Sequence, residues 1–452
     1  MTDKDSNAEA PAPVSPGEAF RYWLKLGFVS FGGPTGQIAM MHQELVERRR
    51  WISERRFLHA LNYCMLLPGP EATQLAAYIG WLMHGVRGGI IAGSLFVLPS
   101  VFILIGLTWI YMAYGHVPAV AGILYGIKPA VTAIVVFAAY RIGSRALKNA
   151  WLWGLAAAAF VAIFAFDVPF PYIVLAAGIV GAIGGRLAPD KFRTGGHGGA
   201  KKSYGRALID DDTPSPPYTR FTWVRLATHV IVGLAIWAAA IGLLLAAFGW
   251  RGDFTQMGWF FTKAAMLTFG GAYAVLPYVY QGGVEHYGWL TGPQMIDGLA
   301  LGETTPGPLI MVVAFVGFVG GWSKELLGPD AQPLAGAFGG MVAAFFTFLP
   351  SFVFIFAGAP MVEATHGDIK FTAPLTGITA AVVGVVVNLA VFFAWHVLWP
   401  EASTVAPFAG RFEWPAALIG IAAAIALFRF KRGIIEVIAV CAVAGLAFSL
   451  LA

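Results

Sequence analysis

Nine stretches of this chain run apolar for roughly the length a bilayer demands of a helix, about 20 residues. They cover 86–113, 119–140, 150–166, 170–188, 226–248, 336–358, 373–393, 416–430 and 434–452. Four further apolar segments, 20–41, 57–84, 257–280 and 295–322, are interrupted in their middles. The interruptions are Phe31-Gly32-Gly33-Pro34, Pro68-Gly69-Pro70, Phe269-Gly270-Gly271 and Pro306-Gly307-Pro308. Proline inside a helix removes a hydrogen bond and clashes with the preceding turn, so each of these helices must stop or bend. The pattern predicts an all-α polytopic membrane protein with four Gly/Pro-broken helices.

Polar residues gather at two places. The segment from Met1 to Ala19, with Pro11, Pro13 and Pro16, reads as a disordered cytoplasmic tail without the basic-then-apolar order of a secretory signal. The segment 189–225 reads as a flexible cytoplasmic linker, with glycines around His197, the run Asp210-Asp211-Asp212, and Pro214, Pro216 and Pro217. The aspartates there have the character of a solvated charge run rather than a metal motif.

Composition sharpens the class. Of the 452 residues 58% are hydrophobic and only 12% charged, against about 25% charged in soluble proteins. Too little charge remains to cover a water-facing surface. Cys64 and Cys441 are the only cysteines, which excludes a disulfide framework or a cysteine metal cage. A net charge of +5 without a nucleic-acid module gives no reason to expect nucleic acid as a partner.

The broken segments belong to an internal repeat. Phe31-Gly32-Gly33 and Phe269-Gly270-Gly271 are related by an offset of 238 (269 − 31 = 238). Lys25 and Lys263, Trp51 and Trp289, and the two Pro-Gly-Pro runs share that offset. Leu98-Pro99-Ser100 and Leu349-Pro350-Ser351 are related by an offset of 251, as are Gly88-Gly89 and Gly339-Gly340, and Gly126 and Gly377. An insertion near Lys324 to Gln332 accounts for the change. The chain thus divides into a first repeat, 20–188, the linker, a connecting transmembrane helix, 226–248, and a second repeat, 249–452.

Charge sets the expected orientation. The loop after the first break carries Arg48, Arg49, Arg50, Arg55 and Arg56, whereas its counterpart, 281–292, carries no Lys or Arg. The positive-inside rule puts these loops on opposite sides, with the N-terminus cytoplasmic. Six segments per repeat plus the connecting helix make about 13 transmembrane segments and invert the second repeat. Inverted repeats with broken helices are a transporter architecture. Whether segments 20–41 and 57–84 cross or re-enter stays open, with the arginines favouring re-entry.

A helix restarting inside the bilayer presents free N–H groups and a partial positive charge, an arrangement that suits an anion. Pro34, Pro70 and Pro308 look like first helical residues. The expected oxyanion site therefore comprises Gly32, Gly33, Pro34, Thr35 and Gln37, then Pro68, Gly69, Pro70, Thr73 and Gln74. From the second repeat it takes Gly270, Gly271, Tyr273, Thr305, Pro306, Gly307 and Pro308. Lys25 and Lys263, six positions before their breaks, are candidates to attract the anion, although snorkelling to the surface explains them equally. Glu71, Glu303 and Asp297 are candidates for proton coupling, because a carboxylate beside an anion repels it unless protonated. Glu71 would alternatively cap its helix.

At the motif level the chain resembles the chromate ion transporter family in its long, two-domain form. Phe31-Gly32-Gly33-Pro34, Arg49 to Trp51, the run from Leu67 to Leu75, Tyr78 to Trp81, and Gly298 to Glu303 leading into Thr305 to Pro308 carry the resemblance. It implies a bacterial inner-membrane antiporter that exports chromate using the proton gradient, confers resistance, and needs no cofactor. Chromate against sulfate or another oxyanion is decided by the resemblance alone. A homodimer is compatible with the sequence without being required by it. A membrane enzyme, for example a lipid-diphosphate transferase, would need paired acidic motifs at membrane depth, and the Asp run lies in the linker.

Overall fold

The computed structural model describes residues 11–31, 33–192, 204–214, 216–269, 271–365, 372–401, 406 and 408–451. It is helical throughout these residues, apart from loops and one isolated bridge between Ile52 and Ile209. The helices in chain order are α1 (Pro16–Val29), α2 (Gly33–His42), α3 (Glu54–Cys64), α4 (Glu71–Tyr114) and α5 (Pro118–Ala146). Then come α6 (Ala150–Phe166), α7 (Phe170–Leu187), the single turn α8 (Pro189–Phe192), α9 (Trp223–Phe248) and α10 (Asp253–Leu267). The rest are α11 (Ala272–Tyr280), α12 (Gly292–Thr304), α13 (Val312–Ser323), α14 (Gln332–Thr365), α15 (Thr372–Leu398), α16 (Trp414–Phe428) and α17 (Ile434–Leu451).

Among the described residues all nine unbroken apolar stretches lie on helices, apart from one or two end positions of two of them. Among the described residues, seven helices are long and apolar enough to cross a membrane: Glu71–Tyr114, Pro118–Ala146, Phe170–Leu187, Trp223–Phe248, Pro329–Glu363, Ala373–Leu398 and Ile434–Leu451. Two of the nine fall short: α6 has 17 residues and α16 has 15. The broken segments yield pieces of 9 to 15 residues, as α11 and α10 illustrate. Such pieces rise about 1.5 Å per residue and reach only part-way through a hydrocarbon core of about 30 Å. Helix α4 is really two arms, because His84 and Gly85 leave helical geometry and Gly85 takes φ 63°. Gly80 lies against the carbonyl of Gly88, so the arms pack back to back after the reversal.

The two halves of the chain match element by element. A π-helical turn follows α2 at Gln43–Arg48, and another follows α11 at Gln281–His286, at the same offset as the breaks. The halves also interlock. Helix α5 packs against α16 and α17, and α15 packs against α6 and α7. A side chain on Gly126 would strike the Cys441 carbonyl, and one on Gly377 the Ala177 carbonyl. Small residues let membrane helices approach backbone to backbone, which is what holds these pairs.

Two sequence expectations need correction here. The tail ends before Ala19, because Ser15 caps α1 and accepts from the Glu18 N–H. Part of the supposed flexible linker is docked. Leu208 and Ile209 donate to the carbonyls of Arg50 and Trp51, Ser53 N–H donates to Ile209, and Ser53 Oγ donates to Asp211 at 2.6 Å. Arg56 donates to the Thr213 carbonyl at 2.7 Å. Asp210 is no idle solvated charge either: its carboxylate accepts from the N–H groups of Ala207 and Asp211 and folds the turn. His197 and the glycines beside it lie outside the described residues.

Candidate functional site

Each break is built around a glycine in the left-handed half of backbone space, where a side chain is strained. Gly33 has φ 67°, Gly271 φ 102°, Gly69 φ 119° and Gly307 φ 101°. Pro70 and Pro308 cap the helical turns that follow rather than opening them, in extended geometry, and Pro34 is the second residue of α2. The expectation that these prolines occupy the first helical position therefore misses by one position, within the usual blur of helix ends.

The breaks clasp one another across the halves. Gly69 N–H donates to the Thr268 carbonyl at 2.8 Å, and Gly307 N–H donates to the Ser30 carbonyl at 2.7 Å. Ser30 and Thr268 are related by the offset of 238, as are Gly69 and Gly307, so the two bonds are the same bond with the halves exchanged. A Cβ on Gly69 would strike Ser351 Oγ, and one on Gly307 would lie 2.5 Å from Ser100 Cβ. These serines are the ends of the two Leu-Pro-Ser runs. Backbone pairing and glycine-on-serine contact thus tie the four breaks together in two cross-half junctions, second break to third and fourth to first.

These junctions are polar and incompletely satisfied. Ser30, Ser100 and Ser351 Oγ, Thr73 Oγ1, and the Oε1 atoms of Gln37 and Gln74 are buried without a hydrogen-bond partner. Buried polar atoms in folded proteins nearly always have partners. Six orphans on the breaks and the helix turns beside them mark junctions able to receive polar atoms, and the four hydroxyls are free to donate.

The amides behave differently from expectation. Gln37 Nε2 donates to the Gly307 carbonyl at 2.5 Å and to the Ser30 carbonyl at 3.4 Å, and Gln74 Nε2 to the Pro68 carbonyl at 2.8 Å. Their N–H groups brace the breaks instead of facing a ligand.

Other candidates separate into those the fold gathers and those it leaves apart. Thr73, Pro68, Pro70, Pro306 and Pro308 belong to the clasp. Thr305 is buried and bonded to the Gly302 carbonyl at 3.0 Å. Gly33 and Gly271 border open space, and Thr35 is exposed beside Gly33. Gly32 and Gly270 lie outside the described residues. Lys25 is exposed on α1, and Lys263 Nζ sits 5.8 Å from the Trp259 ring, so neither is bonded to the breaks. The exposure of Lys25 fits the snorkelling alternative, whereas Lys263 is half-buried.

Of the carboxylates, Glu71 is the first residue of α4, directly after Pro70. No side-chain capping bond is made there, but its place in the first turn still suits a carboxylate at a helix N-terminus. Glu303 accepts from the Tyr273 hydroxyl, which joins the second half's first break to the approach of its second. Asp297 is elsewhere: it meets Lys128 Nζ at 3.4 Å and the Tyr111 hydroxyl at 3.0 Å. No group of His, Cys, Asp and Glu able to hold a metal ion exists among the described residues. Sequence reasoning missed Ser30, Ser100 and Ser351. The signal for two of them was present in the matched Leu-Pro-Ser runs.

Comparison with known proteins places this geometry. A family model described as "Chromate transporter" matches residues 17–182 and 255–446, leaving out the linker and α9. A "Chromate transport protein" of Pseudomonas aeruginosa is 33% identical over 386 residues, covering 84% of this chain and 82% of that one. A protein of the same description from Cupriavidus metallidurans is 29% identical, covering 91% of this chain and 87% of its own length. A "Probable chromate transport protein" of Synechococcus elongatus is 27% identical over 99% of both chains. No solved structure matches.

Proposed function

Since the chain belongs to the chromate transporter family, we propose that it exports chromate, a tetrahedral dianion, from the bacterial cytoplasm in exchange for protons. The observation that carries this reading is the reciprocal clasp of the four breaks, with buried unpartnered hydroxyls around it. Hydroxyls and helix N-termini are neutral donors. They bind a dianion through several hydrogen bonds without trapping it as a full counter-charge would.

We take the two halves to be inverted repeats, 20–188 and 249–452, joined by the linker and α9, with about 13 membrane segments in all. The exchanged hydrogen bonds and the interlocked helices support a two-fold relation, and the arginine-rich loop before α3 against its counterpart without Lys or Arg supports inversion. The same loop supports a cytoplasmic N-terminus in the inner membrane.

Energetics favours export. Each charge moved through the field is worth about 2.3 kcal/mol per 100 mV, so a dianion leaving an inside-negative cell gains on the order of twice that. Glu71 and Glu303 carry the coupling in this scheme. Exchange requires that these carboxylates bring protons back on the passage in which the site beside them holds no anion.

Chromate uptake into inside-out vesicles, with and without an acid-inside gradient, tests the proposal. Uptake that rises with the gradient is expected. Gradient-driven flux of sulfate with none of chromate would keep the architecture and sink the substrate. Chromate flux indifferent to pH would sink the coupling.

A further inference from the structure

Two ion pairs with largely buried carboxylates join the halves, and neither belongs to the clasp. In the first, Glu363 of the second half accepts from the Tyr78 hydroxyl at 2.5 Å and faces Arg56 Nη1 at 3.6 Å. In the second, Asp297 of the second half accepts from the Tyr111 hydroxyl at 3.0 Å and faces Lys128 Nζ at 3.4 Å. The composition is the same in both. One carboxylate comes from the second half; one cation and one tyrosine come from the first.

Their positions along the helices are opposed. The second arm of α4 runs antiparallel to α14: side chains on Gly89, Gly93 and Gly340 would touch Phe356, Phe352 and Ile105. Continuing that register sets Tyr111 opposite about position 334 of α14, on the order of 40 Å from Glu363 at about 1.5 Å per residue. The clasp lies between them. Ser100 is eleven positions from Tyr111 on α4, and Ser351 is twelve from Glu363 on α14. The first cluster also lies beside the docked linker, through Arg56 and Thr213.

Neither pair is complete. Arg56 Nη1 and Asp297 Oδ1 are both buried without a hydrogen bond. A buried ion pair gains only when its remaining atoms are satisfied. Pairs left one bond short are closed contacts that separate with little penalty, which suits an element with two states.

We propose that the two clusters are alternating gates to the central site. Arg56, Tyr78 and Glu363 close the route from the face carrying the 43–56 loop, and Lys128, Tyr111 and Asp297 close it from the opposite face. Both are formed in this structure, which is the occluded arrangement. The clasp is the pivot: tilting one half against the other about the glycine–serine contacts opens one mouth and tightens the other. The gates rest on the transport reading above, but not on the identity of the anion.

A pair of cysteine reporters tests this. Cys64, fully buried, ends α3 on the Arg56 side of the clasp. Its counterpart at the offset of 238 is Gly302, where a Cβ meets Val312 at an ordinary 3.7 Å. In a Cys441→Ala background, Cys64 serves one side, and Gly302→Cys with Cys64→Ala serves the other. An impermeant maleimide is applied to right-side-out and to inside-out vesicles.

Glu363→Gln should raise Cys64 labelling from the 43–56 face by about tenfold, the shift expected when one charge-assisted contact is lost. It should leave labelling at position 302 unchanged. Asp297→Asn should do the reverse from the other face. The milder Tyr78→Phe and Tyr111→Phe should reproduce each pattern at smaller amplitude, which answers any failure of the charge variants to fold. Unchanged labelling in all four variants, or a rise at both reporters in each, overturns the gates. The expected pattern in a protein that, with its gate residues unsubstituted, carries no chromate supports the gates and overturns the chromate assignment instead.

Discussion

The two halves share a backbone and differ in what they hang on it. Positive-φ glycines, π-helical turns, clasping hydrogen bonds and glycine–serine contacts recur in both. Apart from the matched pairs Ser30 with Thr268 and Ser100 with Ser351, the buried polar side chains do not. Glu71, Thr73, Gln74 and Gln37 of the first half correspond, at the offset of 238, to Leu309, Met311, Val312 and Val275. The second half brings Tyr273 and Glu303 where the first has Thr35 and Met65. Duplication therefore supplied the shape of the site, and divergence supplied its chemistry. A shape made of backbone must be kept in both halves, whereas one set of side chains suffices for a ligand lying at their shared centre.

The shared backbone is where the largest effect is expected. Gly307→Ala adds about 1–3 kcal/mol of strain at positive φ and drives a methyl into Ser100 Cβ, which is tied to its helix. Transport should fall to background. Gly69→Ala meets the movable hydroxyl of Ser351 instead and should retain more flux. Equal losses in vesicle assays would break the distinction between the halves.

Ser100→Ala and Ser351→Ala probe the next level. Each removes one donor to a charged ligand, an interaction worth about 1.5–3 kcal/mol, so KM for the anion should rise about tenfold or more. The thermal midpoint in detergent should hold or increase, because an orphaned buried hydroxyl contributes no bond to the fold. Loss of stability with unchanged KM would make these serines purely packing residues.

Gln37→Leu should cost about 1–3 kcal/mol of stability by leaving the Gly307 carbonyl unpaired. Its apolar counterpart should tolerate Val275→Leu with little change. Comparing the two midpoints tests whether the bracing is confined to the first half.

The smallest effect is electrostatic and lies in the loop before α3. Arg49 hydrogen-bonds Glu44 at 2.9 Å and holds its carboxyl below the usual carboxylate range. A lowered folded-state pKa contributes stability above the unfolded value, and that contribution is lost as pH falls through the folded value. Arg49→Gln should therefore lower the thermal midpoint slightly at about pH 6 and by less near pH 3, given the solvent exposure of the pair. An equal drop at both values would put the effect in packing against Tyr22 and Trp51, whose rings the guanidinium covers.

Much of this was readable beforehand for local reasons. Apolar runs and interior Gly-Pro pairs act close to where they stand, so the helices and breaks follow from neighbours in the chain. The offsets of 238 and 251 exposed the duplication because matched glycines and prolines answer to backbone geometry. Lys25 and Lys263 left two readings open, since a duplicated lysine near a break carries no sign of which way its helix turns. The docked linker was equally hidden. Ile209 pairs with the distant segment around Ile52 through main-chain atoms, which leave no composition signature.

What the sequence determined by itself was the class of molecule, its helices, their interruptions and the doubling of the unit. These depend on hydrophobicity, proline and glycine, whose effects are short-ranged. Only the tertiary structure decided that each break closes on the other half, that Ser100 and Ser351 meet the glycines, and that Glu363 and Asp297 cross to the first half's cations. Those partners are distant in the chain, and a serine or a carboxylate has no preferred partner until packing chooses one.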